Sequence, residues 1–213
     1  MGGIDNRPTG SYIESHSIKG LMENTSTQDV IKHTVLRMVV VACATVGFGL
    51  VFFQLKVFDV GMIASQFLSG GITASITYAA LKTPRWRDGF VALLVWYIVL
   101  TFLVVQYRAY LLILNFAYVA GIAAAVYLYY YFVRKEMVRG VLQRVAAAGV
   151  IMAIANAVII VFLGAFNLHT VYASPGSYAS AGFRNLQLGT LIGIGFGVGV
   201  EIAEYIIRRM APV

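Results

Sequence analysis

A chain of 213 residues that is 60% apolar and only 12% charged, with a mean hydropathy of +0.80, lies outside the composition of a soluble globular domain. Its net charge of +7 does not point to nucleic acid, because the basic residues sit in short segments between apolar runs and form no polar stripe interleaved with stacking aromatics. The single cysteine, Cys43, rules out an intrachain disulfide framework and a thiolate metal site.

In chain order, residues 1–30 form a polar tail rich in Gly, Ser, Thr and Asn, in which Asp5, Glu14, Glu23 and Asp29 alternate with basic residues. It has neither the apolar stretch of a secretory signal nor the acid-poor profile of a transit peptide. Such a tail is expected to be disordered in isolation, so that a partner protein would be needed to order it. Thr25, Ser26 and Thr27 offer helix caps just before the first apolar run. Six such runs follow, at 35–54, 60–81, 89–106, 109–133, 145–166 and 186–207. Each is about 18–25 residues long, which at about 1.5 Å per residue matches a hydrocarbon core of about 30 Å. Backbone polar groups cannot stay unpaired in lipid, and the runs lack the two-residue alternation of barrel strands, so helices are required. The expected fold is all-α: a polytopic integral membrane protein with about six transmembrane helices over residues 31–209 and a short tail at 210–213. Pro84 breaks the chain between the second and third runs, with Trp86 at the interface, and 134–139 is a compact basic connection. Residues 56–59 and 106–108 read as tight turns. Residues 167–184, with His169, Tyr172, Pro175, Tyr178 and Phe183, read as the longest loop and the natural lid or docking surface.

Charge alternates along these connections. One side collects Arg7, Lys19, Lys32, Arg37, Lys82, Arg85, Arg87, Arg134, Lys135, Arg139, Arg144, Arg208 and Arg209, and the other has Lys56, Arg108 and Arg184. Short basic loops are retained on the cytoplasmic or matrix side, which predicts that both termini lie inside. A bacterial inner (plasma) membrane and a mitochondrial inner membrane both fit, and anionic headgroups are the natural partner of the basic side.

Small residues mark the helix faces expected to pack: Gly70 and Gly71 in the second run, Gly121 in the fourth, Gly149 in the fifth, and Gly189, Gly193, Gly195, Gly197 and Gly199 in the last. Positions 189, 193 and 197 share one helical face, which Glu201 continues, and 195 and 199 form a second row. Such rows let backbones approach closely. The run 193–199 resembles the glycine-rich helix of proton-translocating c-ring subunits, a likeness of packing. Gln66, Gly70, Thr73 and Thr77 give the second run a polar face, and Gly149, Ala153 and Asn156 do so in the fifth.

Glu201 and Glu204 are the carboxylates inside the runs. A carboxylate in lipid needs a partner, water or a proton. They are a candidate ion or proton site; the structural alternative pairs them with Arg208, at i+4 from Glu204, and with Arg209. Lys56, Arg108 and Arg184, flanked by Gln54, Gln106, Asn185 and Gln187, are a candidate external anion-attracting site, with snorkelling as the alternative. His16, His33 and His169 are too scattered to converge on a metal or haem, and no nucleophile–base pair or phosphate loop is present. No catalytic residues, metal or cofactor are therefore expected. Tyr127, Tyr129, Tyr130 and Tyr131 read as an interfacial aromatic girdle.

This leads to the expectation of a non-catalytic, multi-pass subunit of a larger membrane complex, held to other subunits through its glycine and small-residue faces. The alternative is a small-solute transporter or substrate-binding component. Six spans, both ends inside and a longer last external loop resemble the substrate-binding components of energy-coupling-factor vitamin transporters. That resemblance implies a solute site within the bundle, although residues 39–49 lack the alanine-spaced coupling motif of that family.

Overall fold

The computed structural model describes residues 27–54, 60–83, 86–105, 111–165 and 175–210, and every regular element among them is an α-helix. These are α1 (Thr27–Gln54), α2 (Val60–Lys82), α3 (Trp86–Val105), α4 (Leu111–Arg134), α5 (Val141–Ala165) and α6 (Pro175–Met210). The chain divides into two units, residues 1–33 and 34–213, and all contacts given below lie within the second. Among the described residues four stretches are long and apolar enough to cross a membrane: Gln28–Phe52, Phe116–Arg134, Val141–Phe162 and Gly182–Met210. Helices α2 and α3 have 23 and 20 residues.

One expected boundary is corrected. Residues 175–184 were expected in a loop, but α6 begins at Pro175 and runs for 36 residues. Proline suits the first helical position, where its fixed φ is already helical and its missing N–H would have had no partner. Within the added turns Gly182 faces the Val161 side chain of α5.

Local chemistry explains the two described connections. At the end of α2, the Thr83 amide donates to the Ala80 carbonyl at 3.2 Å and its hydroxyl to Ala79 at 2.7 Å, so terminal carbonyls find partners where the helix ends. Between α4 and α5, Glu136 takes a left-handed φ of 54°. Its amide donates to Val133 at 3.1 Å and that of Met137 to Phe132 at 3.1 Å, the two bonds of a Schellman ending. Helix α5 then starts on Gly140, whose carbonyl accepts from Arg144 at 3.0 Å, while the Gln143 side chain reaches back to the Gly140 amide at 3.3 Å. That is the back-reaching half of a capping box, which a glutamine at the third helical position can supply.

The main core joins five helices through Val41, Ala74, Tyr78, Ile122, Ala125, Val126, Tyr129, Ala148, Met152, Phe196, Val200 and Ala203. Helix α3 contributes none of these and lies against α2 and α4. Its opposite face exposes Phe90, Leu94, Val95, Ile98 and Phe102, and α5 likewise exposes Val150, Ile154, Val158 and Phe162. An apolar exterior over a partly polar interior is the inverse of a soluble bundle and fits lipid as the solvent.

Helix α6 is the axis of the assembly. Its row Gly189, Gly193 and Gly197 runs antiparallel down α5: a β-carbon on Gly189 would strike the Met152 carbonyl, one on Gly193 the Ala148 carbonyl, and one on Gly197 would stand 3.0 Å from the Val145 Cα. The second row descends α1 in the same way, with Gly195 against Thr45 and Phe48 and Gly199 against Val41 and Ala44. Gly149 meets Ile194 of α6, Gly121 meets Ile159, Gly70 meets Tyr118 and Ile192, and Gly71 meets Thr45. The neighbours of every one of these glycines are helices of the same chain.

Candidate functional site

The 189–193–197 row of α6 continues into Glu201, which finds an arginine on α5, the helix that the row follows, and Glu204, one turn further on, finds an arginine on α1. One turn beyond Gly197, Glu201 meets Arg144 of α5 at two points: Nη2 donates to Oε2 at 2.9 Å, and Nε lies 2.6 Å from Oε1. On the α1 side, Glu204 Oε1 accepts from Arg37 Nε at 2.9 Å. The same oxygen accepts from the Tyr78 hydroxyl of α2 at 2.9 Å and has the Lys82 Nζ at 3.8 Å. The side chains of Arg37 and Glu204 are 13% and 17% exposed, and those of Arg144 and Glu201 both 21%. Pairs this deep are screened far less than surface pairs.

The aromatic side chains of the site are ordered by Phe196. The Tyr78 and Tyr129 rings both stand edge-on to it, at 5.9 and 5.3 Å between centroids. Tyr129 is 1% exposed and close enough to Glu201, Arg144 and Glu204 to interact with their charges, yet its hydroxyl has no partner. Lys82 lies over the Tyr78 and Tyr130 rings at 5.8 and 5.9 Å. The Thr34 and Thr83 hydroxyls join α1 to the end of α2 at 3.0 Å.

Deeper in the bundle the polar groups are mostly held by their own helices. Thr45, Thr73 and Thr77 donate to carbonyls four residues back, and Trp96 of α3 donates to the Thr73 hydroxyl at 2.9 Å. Asn156 is the exception: its Nδ2 donates to Met152 at 3.0 Å, while its buried Oδ1 accepts nothing.

Two expectations change. Arg208 and Arg209 are exposed and pair with neither carboxylate; Arg209 lies over the Tyr205 ring at 5.1 Å. The carboxylates turn inward because cations from three other helices reach them where the dielectric is lower, and there a pair is worth more than one at the surface. The tyrosine girdle is likewise divided: Tyr127 and Tyr131 are exposed, but Tyr129 is a core residue on Phe196. Of the candidate external cations, Arg184 is an exposed residue of α6, while Lys56 and Arg108 lie outside the described residues, as do residues 1–26 and 166–174. Among the described residues no three of His, Cys, Asp and Glu gather closely enough to hold a metal ion.

The sequence reading used Arg37, Lys82 and Arg144 only as markers of sidedness and missed them as partners of the carboxylates. The signal was available in part, since Glu201 continues the 189–193–197 row and Arg144 lies one turn before Ala148 on a small-residue face. No protein-family model, curated protein or solved structure matches the chain, so the reading of the site rests on its own geometry.

Proposed function

We propose that the chain is a six-span membrane protein with both termini on its basic side, acting as a non-catalytic subunit of a larger membrane complex. One observation carries this reading: the two carboxylates in the last span are spent on tying α6 to α1, α2 and α5. A group already neutralised by an arginine at hydrogen-bond distance is a poor proton or cation carrier. The chemistry within the described spans therefore serves assembly of the bundle. Because the glycine rows are occupied within the chain, the partner surface in this reading is an outward apolar face, such as that of α3 or α5. Purification in mild detergent followed by native mass measurement should reveal a second polypeptide at fixed stoichiometry. A monodisperse isolated chain that remains functional in its membrane would refute it.

A second reading, a small-solute binding or transport component, is favoured by two uncharged buried polar atoms without partners among the described residues, Tyr129 Oη and Asn156 Oδ1. Buried polar atoms are nearly always satisfied, and a bound solute is one way to do so. In reconstituted liposomes this reading requires a flux or binding signal that Tyr129→Phe or Asn156→Leu lowers. Unchanged signals in both variants would dismiss these residues from any pathway.

A further inference from the structure

The charges of the cluster do not cancel locally. Glu201 and Arg144 form a neutral pair with two contacts, whereas Glu204 faces two cations, Arg37 and Lys82, both within 4 Å of one oxygen. Among the described residues a partly buried surplus of one positive charge therefore remains around Glu204. The donors are also unevenly used. Among the described residues Arg37 bonds through Nε alone, and Lys82 makes no hydrogen bond. The Lys82 side chain is 31% exposed, against 13% for that of Arg37. The Thr34–Thr83 hydroxyl pair lies one turn from Arg37 on α1 and next to Lys82 on α2.

We infer that Arg37 and Lys82, at the junction of α1 and α2, form a binding site for the phosphate of an anionic phospholipid headgroup. A phosphate supplies the missing negative charge and has acceptor oxygens for both the guanidinium fork and the ammonium group. Glu204 and Tyr78 hold the cations in place from behind, so the site is pre-organised, unlike a freely moving surface basic residue. A lipid is favoured over a free anion because the site lies at the basic end of apolar helices whose outer faces need acyl chains. The inference rests on the bundle being embedded in a bilayer.

The test is native mass titration of the detergent-purified full chain with phosphatidylglycerol and, separately, with zwitterionic phosphatidylcholine. Tighter binding of phosphatidylglycerol is expected, and Lys82→Gln should weaken it on the order of fivefold, the effect of one basic residue at a membrane surface. Lys82→Arg should retain the affinity, and Arg209→Gln, which removes an exposed cation at the same end, should change it less than Lys82→Gln does. Equal losses in Lys82→Gln and Arg209→Gln would reduce the site to diffuse surface attraction and overturn the inference. So would displacement of phosphatidylglycerol by equimolar inorganic phosphate, which would make free phosphate the ligand. Retention of all variants in alkali-washed membranes, measured in parallel, separates failure of the lipid site from failure of the membrane reading.

Discussion

Substituting Gly193 by alanine tests the central contact of the bundle. The added methyl would stand 2.7 Å from the Gly149 Cα and 2.8 Å from the Ala148 carbonyl carbon, closer still to its oxygen. Carbon atoms rest at about 3.5–4.0 Å, so α5 and α6 must part by roughly 1 Å along this row, since helix backbones cannot yield as a side-chain tip would. Overpacking of this kind costs about 1–3 kcal/mol, against a gain of up to about 1 kcal/mol from replacing a helical glycine. The net expectation is a loss of about 1–2 kcal/mol, and the separation would also strain the 2.6 Å Arg144–Glu201 contact one turn further on. Gly47 is the control, because a methyl there has nothing within 4 Å and only the propensity gain remains. Reversible unfolding in mixed micelles, followed by tryptophan fluorescence, should therefore move in opposite directions for Gly193→Ala and Gly47→Ala. If Gly193→Ala proves as stable as Gly47→Ala, the close α5–α6 contact is wrong.

Three further outcomes are expected in the same assay. Arg144→Met alone should destabilise by about 2–4 kcal/mol because it strands Glu201, and adding Glu201→Leu should recover most of the loss; an equal loss in the double variant would exclude the pair as the cause. Tyr129→Phe should leave stability unchanged or raise it by about 1 kcal/mol, because it removes a buried hydroxyl that has no partner, whereas a clear loss would mean that the hydroxyl is satisfied by something bound. Glu136→Gly should stabilise by up to about 1 kcal/mol by relieving the left-handed conformation at the end of α4, and a loss would refute the Schellman ending.

The helices were legible because the limits on them are local. Runs of this length and apolarity leave the backbone no other way to pair its own groups, and α2 ends at Lys82 and α4 at Arg134, where expected. The beginning of α6 was not legible, since 175–184 is polar enough to read as loop. Tyr129 shows the same limit. Nothing in the run Tyr127–Tyr131 tells which ring turns inward; packing on Phe196, 67 positions away, decides it.

By itself, the sequence determined the apolar character of the spans, the helical backbone and which positions on α6 share a face, because these follow from composition and the 3.6-residue period. Only the tertiary structure decided what those faces touch. Glu204 had a cation one turn away at Arg208, but Arg37, Tyr78 and Lys82 converge on it from two other helices. An exposed neighbour in water offers little, whereas a carboxylate drawn into a low-dielectric junction needs cations from several helices to offset its desolvation, and only the folded chain assembles such a junction.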